Sequence, residues 1–411
     1  MFENIIKLQG WKIDKIPNLL FYQEGPGVRN NQYTQTGVKL LNVANLQNGQ
    51  VVLENTERYI SEDEAYGRYS HFLVDEGDLI IASSGIKVEY FDKKMGFIKK
   101  EHLPLCMNTS TIRFKTLNQD ILDLKYFSYF LKTNFFKKQI ARLITGSAQL
   151  NFGPSHLKQI DVIVPPLYIQ NSIVNVLDKA QELIDKRKEQ IEALDELVKS
   201  KFIEMFGDPV QNPLGWELKP FLDSGNCKNG MNFSADEIGV ELQYLGVGDF
   251  KNLSQIYNVN NLGKVSLNKM PSKDYILQDG DIVFVRSNGN KSLVGRCLAI
   301  YPNDIATTFS GFCIRYRKTD ENLEIPYLLQ VLKTESMRKN MVGRGANIQN
   351  LNQQILRELM IPIPPLKLQK QYSEFLKQVD KLKFEMEKSL KELEDNFDSL
   401  MQKAFKGELF N

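Results

Sequence analysis

The chain has 411 residues, of which 42% are hydrophobic and 25% charged, and its net charge is +2. This composition indicates a globular protein of two or three domains, and the near-neutral charge leaves nucleic-acid binding open because only one face needs to be basic. No apolar run is long enough to span a bilayer, no signal peptide is evident, and the four cysteines are scattered. These features exclude a membrane-spanning or disulfide-stapled protein, and we expect a cytoplasmic location.

The first predicted domain, residues 1–164, mixes strands and helices as an α/β (mixed α+β) fold does. Apolar runs bounded by turn residues predict strands at Val38–Val43, Asp78–Ala82, Thr109–Phe114 and Ile160–Val164. An amphipathic pattern rich in Phe and Tyr predicts one helix at Leu122–Leu143.

A long spacer helix, residues 165–207, follows the first domain. Pro165-Pro166 ends the preceding strand, and Gly207-Asp208-Pro209 ends the helix. The apolar residues between them recur every seven positions, which predicts a coiled-coil seam. The predicted seam residues are Leu177, Ile184, Ile191, Leu194 and Val198.

The second half of the chain has the same plan, with a second α/β domain at residues 208–363 and a second spacer helix at 364–411. The seam predicted for this helix is Val379, Leu382, Met386, Leu393, Phe397 and Leu400. Each helix is about 50 Å long and cannot bury its apolar stripe alone. We therefore expect the two helices to pack against each other.

Short matches support an internal tandem repeat. Gly10-Trp11 reappears as Gly215-Trp216, 205 positions later, and Pro165-Pro166 reappears as Pro364-Pro365, 199 positions later. Matches between these two have intermediate spacings that fall steadily along the chain, as small deletions in the second copy would produce. The loops between matched segments differ completely. Such divergence is expected of two related domains that bind different targets, although neutral drift in surface loops is the alternative.

We find no pattern typical of a catalytic site, a cofactor site or a metal site. His71, His102 and His156 lack metal-ligand spacing, and no carboxylate pair stands out. The loops instead carry basic and amide side chains, which bind phosphates and base edges. In the first domain the candidate DNA-binding residues are Ser84, Lys87, Lys93, Lys94, Arg142, Gln149 and Asn151. In the second domain they are Arg286, Asn288, Asn290, Lys291, Arg344, Asn347 and Gln349.

The whole chain resembles the specificity subunit of type I restriction-modification systems. The resemblance is carried by the late loops that lead through Pro-Pro into the helices (Gly146–Gln170 and Gly345–Gln369), by Phe206-Gly207-Asp208-Pro209, by Gly215-Trp216 and by the closing segment Ala404–Leu409. The order and double occurrence of these features are more specific than any one of them.

The resemblance implies two target recognition domains in tandem, each reading one half of a bipartite sequence in double-stranded DNA. It implies a long antiparallel two-helix coiled coil that separates the domains, gives a pseudo-twofold molecule and sets the spacing of the half-sites. It also implies two methyltransferase subunits and motor-nuclease subunits as partners. S-adenosylmethionine, ATP and Mg are then expected on those partners and none in this chain, which is not itself an enzyme.

Three other functions stay open from the sequence. A coiled-coil adaptor or structural protein would need no nucleic acid. A fused DNA-modifying enzyme would hold a site that the sequence does not reveal. A tandem RNA-binding protein would use similar loops for a different nucleic acid.

Overall fold

A computed structural model describes residues 10–54, 56–144, 150–234, 236–250, 254–342 and 350–410. The chain divides between Arg187 and Lys188, and again between Lys388 and Ser389, into two compact units. The first unit contains the N-terminal part of the chain and the segment after Lys388; the second contains the continuous segment between the two divisions. The predicted domains end where the spacer helices begin, whereas the compact units share each long helix between them.

The first unit is a mixed α/β structure. Its strands are β1 (Lys12–Lys15), β2 (Leu20–Glu24), β3 (Val38–Leu41), β4 (Leu46–Gln47), β5 (Gln50–Val51), β6 (Tyr59–Ile60), β7 (Leu79–Ala82), β8 (Ser84–Ile86), β9 (Met95–Phe97), β10 (Leu105–Met107), β11 (Thr111–Thr116), β12 (Leu150–Asn151) and β13 (Asp161–Val164). Its helices are α1 (Ile16–Leu19), α2 (Glu62–Tyr66), α3 (Leu124–Lys132), α4 (Asn134–Leu143), α5 (Pro154–Leu157) and the first part of α6 (Leu167–Phe206).

The core of the first unit lies on an antiparallel sheet of order β2-β11-β7-β9. All four residues of β7 are buried, as expected for a central strand covered on both faces. A smaller sheet of order β10-β3-β6 joins β3 and β10 in parallel, and β1 pairs antiparallel with β13 just before α6. The strand pairing thus closes the globular part of the unit where the long helix begins.

The second unit repeats this plan. Its strands are β14 (Glu217–Pro220), β15 (Gly225–Asn229), β16 (Val240–Leu245), β17 (Gln255–Ile256), β18 (Gly263–Leu267), β19 (Asp281–Val285), β20 (Cys297–Ile300), β21 (Thr307–Phe309), β22 (Cys313–Lys318) and β23 (Met360–Ile363). Its helices are the last part of α6, then α7 (Ile325–Lys333), α8 (Glu335–Val342), α9 (Gln353–Glu358) and the first part of α10 (Leu366–Lys406).

The main sheets of the second unit correspond to those of the first, with β17 as an additional edge strand. The main sheet has the order β15-β22-β19-β20-β17, in which β15, β22, β19 and β20 correspond to β2, β11, β7 and β9. The sheet β18-β16-β21 again contains one parallel pair, and β14 pairs with β23 before α10. The prediction of tandem mixed α/β domains with an internal repeat is therefore confirmed.

The helix predicted at Leu122–Leu143 is wrong in one respect, because the chain forms two helices there. Thr133 has extended backbone angles, and its hydroxyl accepts a hydrogen bond from the backbone N–H of Phe136 at 3.2 Å. A threonine in this role starts a new helix rather than continuing the old one. Thr334 separates α7 from α8 at the matching place in the second unit.

The two long helices run antiparallel within each unit, as predicted. In the second unit, Asp195 of α6 pairs with Lys383 of α10 at 2.6 Å, and three residues later Val198 O accepts from the hydroxyl of Tyr372 at 3.4 Å. In the first unit, Tyr129 contacts Asp178 of α6 and Phe397 of α10. Farther along α10, Phe405 packs on Tyr126, whose hydroxyl donates to Ile163 O just before α6.

Most of the predicted seam residues are buried or half-buried. Leu177, Ile184, Leu194 and Val379 are buried, and Ile191, Val198, Met386, Leu393, Phe397 and Leu400 are half-buried. The prediction for Leu382 is wrong, since its side chain is 46% exposed. The neighbouring Lys383 follows Val379 by one helical turn, and its ammonium group pairs with Asp195 at that place on the helix.

Each core is completed by the C-terminal end of a long helix. In the first unit, the ring of Phe405 lies 5.2 Å from that of Tyr126 and 6.3 Å from that of Phe130. In the second unit, Phe206 lies 4.7 Å from Tyr327 and 5.5 Å from Tyr372. Each unit therefore combines the globular domain of one repeat with the helix end of the other repeat.

Candidate nucleic-acid interface

Three separate segments of the first unit meet at Ser83, immediately after β7. The backbone N–H of Ser83 donates to Ser110 O at 2.8 Å, and the N–H of Phe152 donates to Ser83 O at 2.9 Å. Asn151 pairs with Ser84 where β12 meets β8. We call residues 83–84, 110 and 151–152 the first platform. It joins the turn before β11 and the segment before α5 to one end of the central sheet.

The second unit builds the same arrangement at Arg286, immediately after β19. Its N–H donates to Phe312 O at 2.8 Å, and its carbonyl accepts from the N–H of Leu351 at 2.8 Å. Ser287 forms an antiparallel bridge with Asn350. Residues 286–287, 312 and 350–351 form the second platform. The backbone is thus equivalent in the two units, and the side chains at three of the five positions differ.

Different side chains support the turn in the two platforms. In the first unit the buried Asn108 accepts from the backbone N–H of Thr109 at 2.8 Å and of Val28 at 3.2 Å. In the second unit the corresponding turn contains Gly311, where a Cβ atom would collide with the side chain of Asn232. Gly311 N–H also donates to Met231 O at 2.9 Å. Both solutions give backbone groups at the turn a hydrogen-bond partner and fix the position of the residue that follows.

Several predicted residues of the first unit lie around its platform. Ser84 is half-buried and Asn151 is exposed on the paired strands. Lys94 returns to the end of β7, because its carbonyl accepts from Ala82 N–H at 2.8 Å. Exposed Lys87 directly follows β8, and the ammonium group of Lys93 lies 5.5 Å from the ring centre of Tyr90. These side chains give the first platform a basic and polar surround.

Two predicted residues are not joined to that group. Arg142 is exposed in the last turn of α4, and the described contacts do not connect it with the Ser84–Asn151 pairing. Gln149 lies outside the described residues.

In the second unit, the predicted loop 286–291 borders the second platform. Asn288 Oδ1 accepts from the backbone N–H of Asn290 at 2.8 Å, and Asn290 Oδ1 accepts from that of Ser292 at 3.1 Å. These successive turns fix the backbone of a polar loop. Lys291 is exposed, and Arg286 Nη1 lies 3.5 Å from Gly311 O. The predicted residues Arg344, Asn347 and Gln349 lie outside the described residues.

A cleft of about 540 Å³ opens beside the second platform. It is lined by the predicted residues Asn288 and Lys291 and by Tyr244, Ser310, Phe312 and Asn350. Sequence reasoning did not select the last four. Aligning the repeats at a spacing of 202 would have singled out Phe312, because the aromatic residue replaces Ser110 at a turn that both copies share. The cleft combines amide, hydroxyl, ammonium and aromatic groups, which suits recognition of base edges.

The cysteines nearest the platforms have the properties of buried apolar residues. Burial raises the pKa of the Cys106 and Cys313 thiols to about 12, so both are protonated at neutral pH and are poor nucleophiles. In the part of the chain that the structure describes, no group of three or more His, Cys, Asp and Glu side chains could hold a metal ion. No helix in that part is both long and apolar enough to cross a bilayer.

Comparison with known proteins gives a consistent result over both repeats. The family model for the type I restriction modification DNA specificity domain matches residues 10–194 and 214–395. The chain is 23% identical over 390 residues to the type I restriction enzyme StySPI specificity subunit of Salmonella potsdam, with 90% of this chain and 82% of that protein covered. It is 21% identical over 399 residues to the EcoKI specificity subunit of Escherichia coli (strain K12), with the same coverage.

A similar fold is found among solved structures. A chain from a structure of the type I R-M system, described as the basis of complex assembly and conformational transition, has a TM-score of 0.60 to this one. The two chains are 15% identical, and the match covers 97% of this chain and 98% of the other. At this identity the likeness concerns the fold alone.

Proposed function

The chain belongs to the type I restriction modification DNA specificity family, and we propose that it reads a bipartite DNA target and directs partner methyltransferase and nuclease subunits to it. Sequence-specific DNA recognition is the role named for the family. In this chain we place recognition at the two platforms and the loops beside them.

The duplicated platform is the observation that carries this proposal. Both copies hold the residue after the central strand by equivalent backbone hydrogen bonds, yet present Ser83 and Ser110 in one case and Arg286 and Phe312 in the other. A shared backbone with divergent side chains allows each unit to read its own short sequence. Two such surfaces in one chain favour a target with two recognised parts.

The side chains around the platforms suit double-stranded DNA. Lys87, Lys94 and Lys291 can neutralise phosphates, which fixes the position of a protein on the duplex without reading its sequence. Asn and Ser side chains such as Asn151 and Asn288 can hydrogen-bond to base edges in the major groove. The modest net charge of +2 suits a subunit whose partners provide part of the phosphate contact.

The partners in this proposal are two methyltransferase subunits and motor-nuclease subunits of one system. We place S-adenosylmethionine, ATP and Mg on those subunits and assign no chemical step to this chain. Its related proteins are named specificity subunits, which supports a recognition role. The cytoplasm is the proposed location, because the target DNA is there.

The test is to express the chain with its cognate methyltransferase subunit and to map the methylated motif by sequencing. We expect a motif of two short specified parts separated by an unspecified gap. Replacing residues 286–291 by a Gly-Ser segment should change one part of the motif and leave the other intact. A single uninterrupted motif, or a change in both parts, would contradict the proposal.

The matched control is Glu321→Gly, which alters an exposed turn at the other end of β22 from the second platform. This variant should keep both parts of the motif. A chain that binds RNA in preference to DNA, or that methylates no motif with its partner, would instead favour one of the other functions that the sequence leaves open.

A further inference from the structure

Phe312 is an aromatic side chain that the second unit holds in the solvent. It is 59% exposed, whereas most other Phe side chains of this unit are buried. Its backbone is fixed at both ends: the carbonyl accepts from Arg286 N–H at 2.8 Å, and the N–H donates to Ser310 Oγ at 3.2 Å. The exposed ring is available to a bound partner, and covering it would remove apolar surface from water.

The first unit shows that the turn does not require an aromatic residue. Ser110 occupies the equivalent position, and its carbonyl accepts the equivalent hydrogen bond from Ser83 N–H at 2.8 Å. The platform therefore forms with either side chain. The phenyl ring of Phe312 is thus not needed to form the platform and is available for binding.

The neighbours of Phe312 indicate what covers it. The ring lines the same cleft of about 540 Å³ as Asn288, Lys291 and Asn350. Amide and ammonium side chains are the groups that hydrogen-bond to purine edges in the major groove. The one apolar group that a base pair presents there is the 5-methyl group of thymine, which Phe side chains contact.

We propose that Phe312 is a specificity-determining residue that recognises the 5-methyl group of a thymine in the half of the target read by the second unit. This inference rests on the proposed function and deepens it. It requires that this half of the motif contain an A·T pair at a position where the thymine methyl group, and not only the hydrogen-bonding pattern, is read.

The experiment uses the complex of the chain with its cognate methyltransferase and duplexes that carry the mapped motif. Each thymine of the relevant half-site is replaced in turn by deoxyuridine, which lacks only the methyl group. For the unaltered chain, one such replacement should weaken binding about fourfold, the ratio that corresponds to one buried methyl group. The other replacements, including all those in the half-site read by the first unit, should have no effect.

Phe312→Ala should remove this discrimination, so that thymine and deoxyuridine duplexes bind equally. Phe312→Leu keeps an apolar side chain and should retain most of it, which separates loss of the methyl contact from loss of folding. Phe384→Ala is the matched control, because Phe384 is 65% exposed on α10. It should leave the fourfold ratio unchanged.

The inference is overturned if the unaltered complex recognises its bipartite motif but no deoxyuridine replacement weakens binding. It is also overturned if Phe312→Ala weakens binding to thymine and deoxyuridine duplexes while preserving the ratio between them, since a wedge between bases would act in this way. Either result leaves the proposed function intact. Absence of any motif for the unaltered complex would refute the proposed function itself.

Discussion

The two units keep the same contacts of one buried glutamine and one buried tyrosine, whereas the side chains of their platforms differ. Gln170 in the first unit accepts from Asp123 N–H at 2.9 Å and donates to Ile121 O and Pro165 O, both at 2.8 Å. Gln369 in the second unit accepts from Glu324 N–H at 2.9 Å and donates to Asn322 O and Pro364 O. The tyrosines Tyr126 and Tyr327 likewise donate to the backbone of the strand before each long helix.

The contrast with the platforms teaches what limits divergence after duplication. A buried backbone group without a partner costs about 1–3 kcal/mol, so the glutamine that satisfies several such groups is retained in both copies. Ser110 and Phe312 satisfy the same backbone contacts without using their side chains. Their side chains are consequently free to change with the target.

A second contrast lies within the core of each sheet. The buried carboxylate of Asp281 forms paired contacts with Arg317 at 2.8 and 2.7 Å. Asp78 occupies the same place in the first unit, but its nearest cationic nitrogens, on Lys115 and Arg113, are 3.5 and 3.6 Å away. Replacing the planar guanidinium of Arg317 by the ammonium of Lys115 removes the bidentate geometry. The first unit thus stabilises its buried charge less directly.

The largest expected effect comes from removing the aromatic ring with which the end of a long helix completes each core. Phe405→Ala should destabilise the first unit by about 3–5 kcal/mol and Phe206→Ala should destabilise the second by a similar amount, because each removes a buried aromatic ring. The two tryptophans give separate readouts: Trp11 belongs to the first unit and Trp216 to the second. Urea unfolding followed by fluorescence in Trp11→Phe and Trp216→Phe backgrounds would measure each unit.

The control for these variants is Phe384→Ala, whose exposed ring should matter by less than about 0.5 kcal/mol. If Phe405→Ala shifted the Trp216 transition as much as the Trp11 transition, the two units would not unfold independently.

A smaller effect should follow from the retained glutamines. Gln170→Met and Gln369→Met keep the shape of the side chain but leave buried backbone groups without partners, and each should cost about 2–4 kcal/mol in its own unit. Equal losses in the two units would support equivalent roles, and the same single-tryptophan urea titrations would measure them. Gln371→Met on the exposed face of α10 should change stability little. A neutral result for both buried variants would show that the contacts are dispensable.

The smallest expected effect is a pH dependence of stability at Asp78, the buried carboxyl that lacks the bidentate arginine partner of Asp281. Burial raises the pKa of the Asp78 carboxyl, although the Asp75 N–H, Lys115 and Arg113 oppose the shift. Because the pKa of Asp78 is higher in the folded state, its protonation stabilises the fold. This stabilisation is complete below the unfolded-state pKa and is lost as pH rises through the folded-state pKa. Asp78→Asn should therefore become progressively more stable relative to the unaltered chain across this window.

Urea unfolding at a series of pH values, followed by Trp11 fluorescence, would measure this change. Glu76→Gln is the control, since Glu76 is an exposed carboxylate nearby that is not among the groups shifting the pKa of Asp78. A stability difference between Asp78→Asn and the unaltered chain that did not vary with pH would contradict the raised pKa.

The sequence predicts the architecture well because the architecture depends on periodic and repeated signals. The apolar repeat from Leu177 to Val198 specifies one face of a long helix, and Pro165-Pro166 marks its start to within two residues. The repeat itself could be recognised because both copies use the same turns and helix ends. The apolar pattern wrongly places Leu382 in the seam because Leu382 continues the repeat, whereas the ion pair of Lys383 with Asp195 depends on the partner helix.

The candidate site is less accessible to sequence reasoning because it is assembled from distant segments. The sequence marks Ser84 and Asn151 separately by their chemistry, and only the pairing of β8 with β12 brings them together. Phe312 has no polar character that would mark it, and its exposure follows from a turn in which Ser310 accepts from its backbone N–H and Asn232 lies against Gly311. A one-dimensional pattern does not contain such support.

The division of the long helices between the units has a consequence for biosynthesis. The second unit is formed by an uninterrupted stretch of chain, whereas the first lacks Phe397, Met401 and Phe405 until the ribosome has translated the end of α10. Part of the core of the nascent N-terminal domain therefore stays exposed while the second unit folds. The second unit can therefore complete its fold before the first, although it is synthesised later. The uncovered core surface of the first unit is where chaperones would be expected to bind.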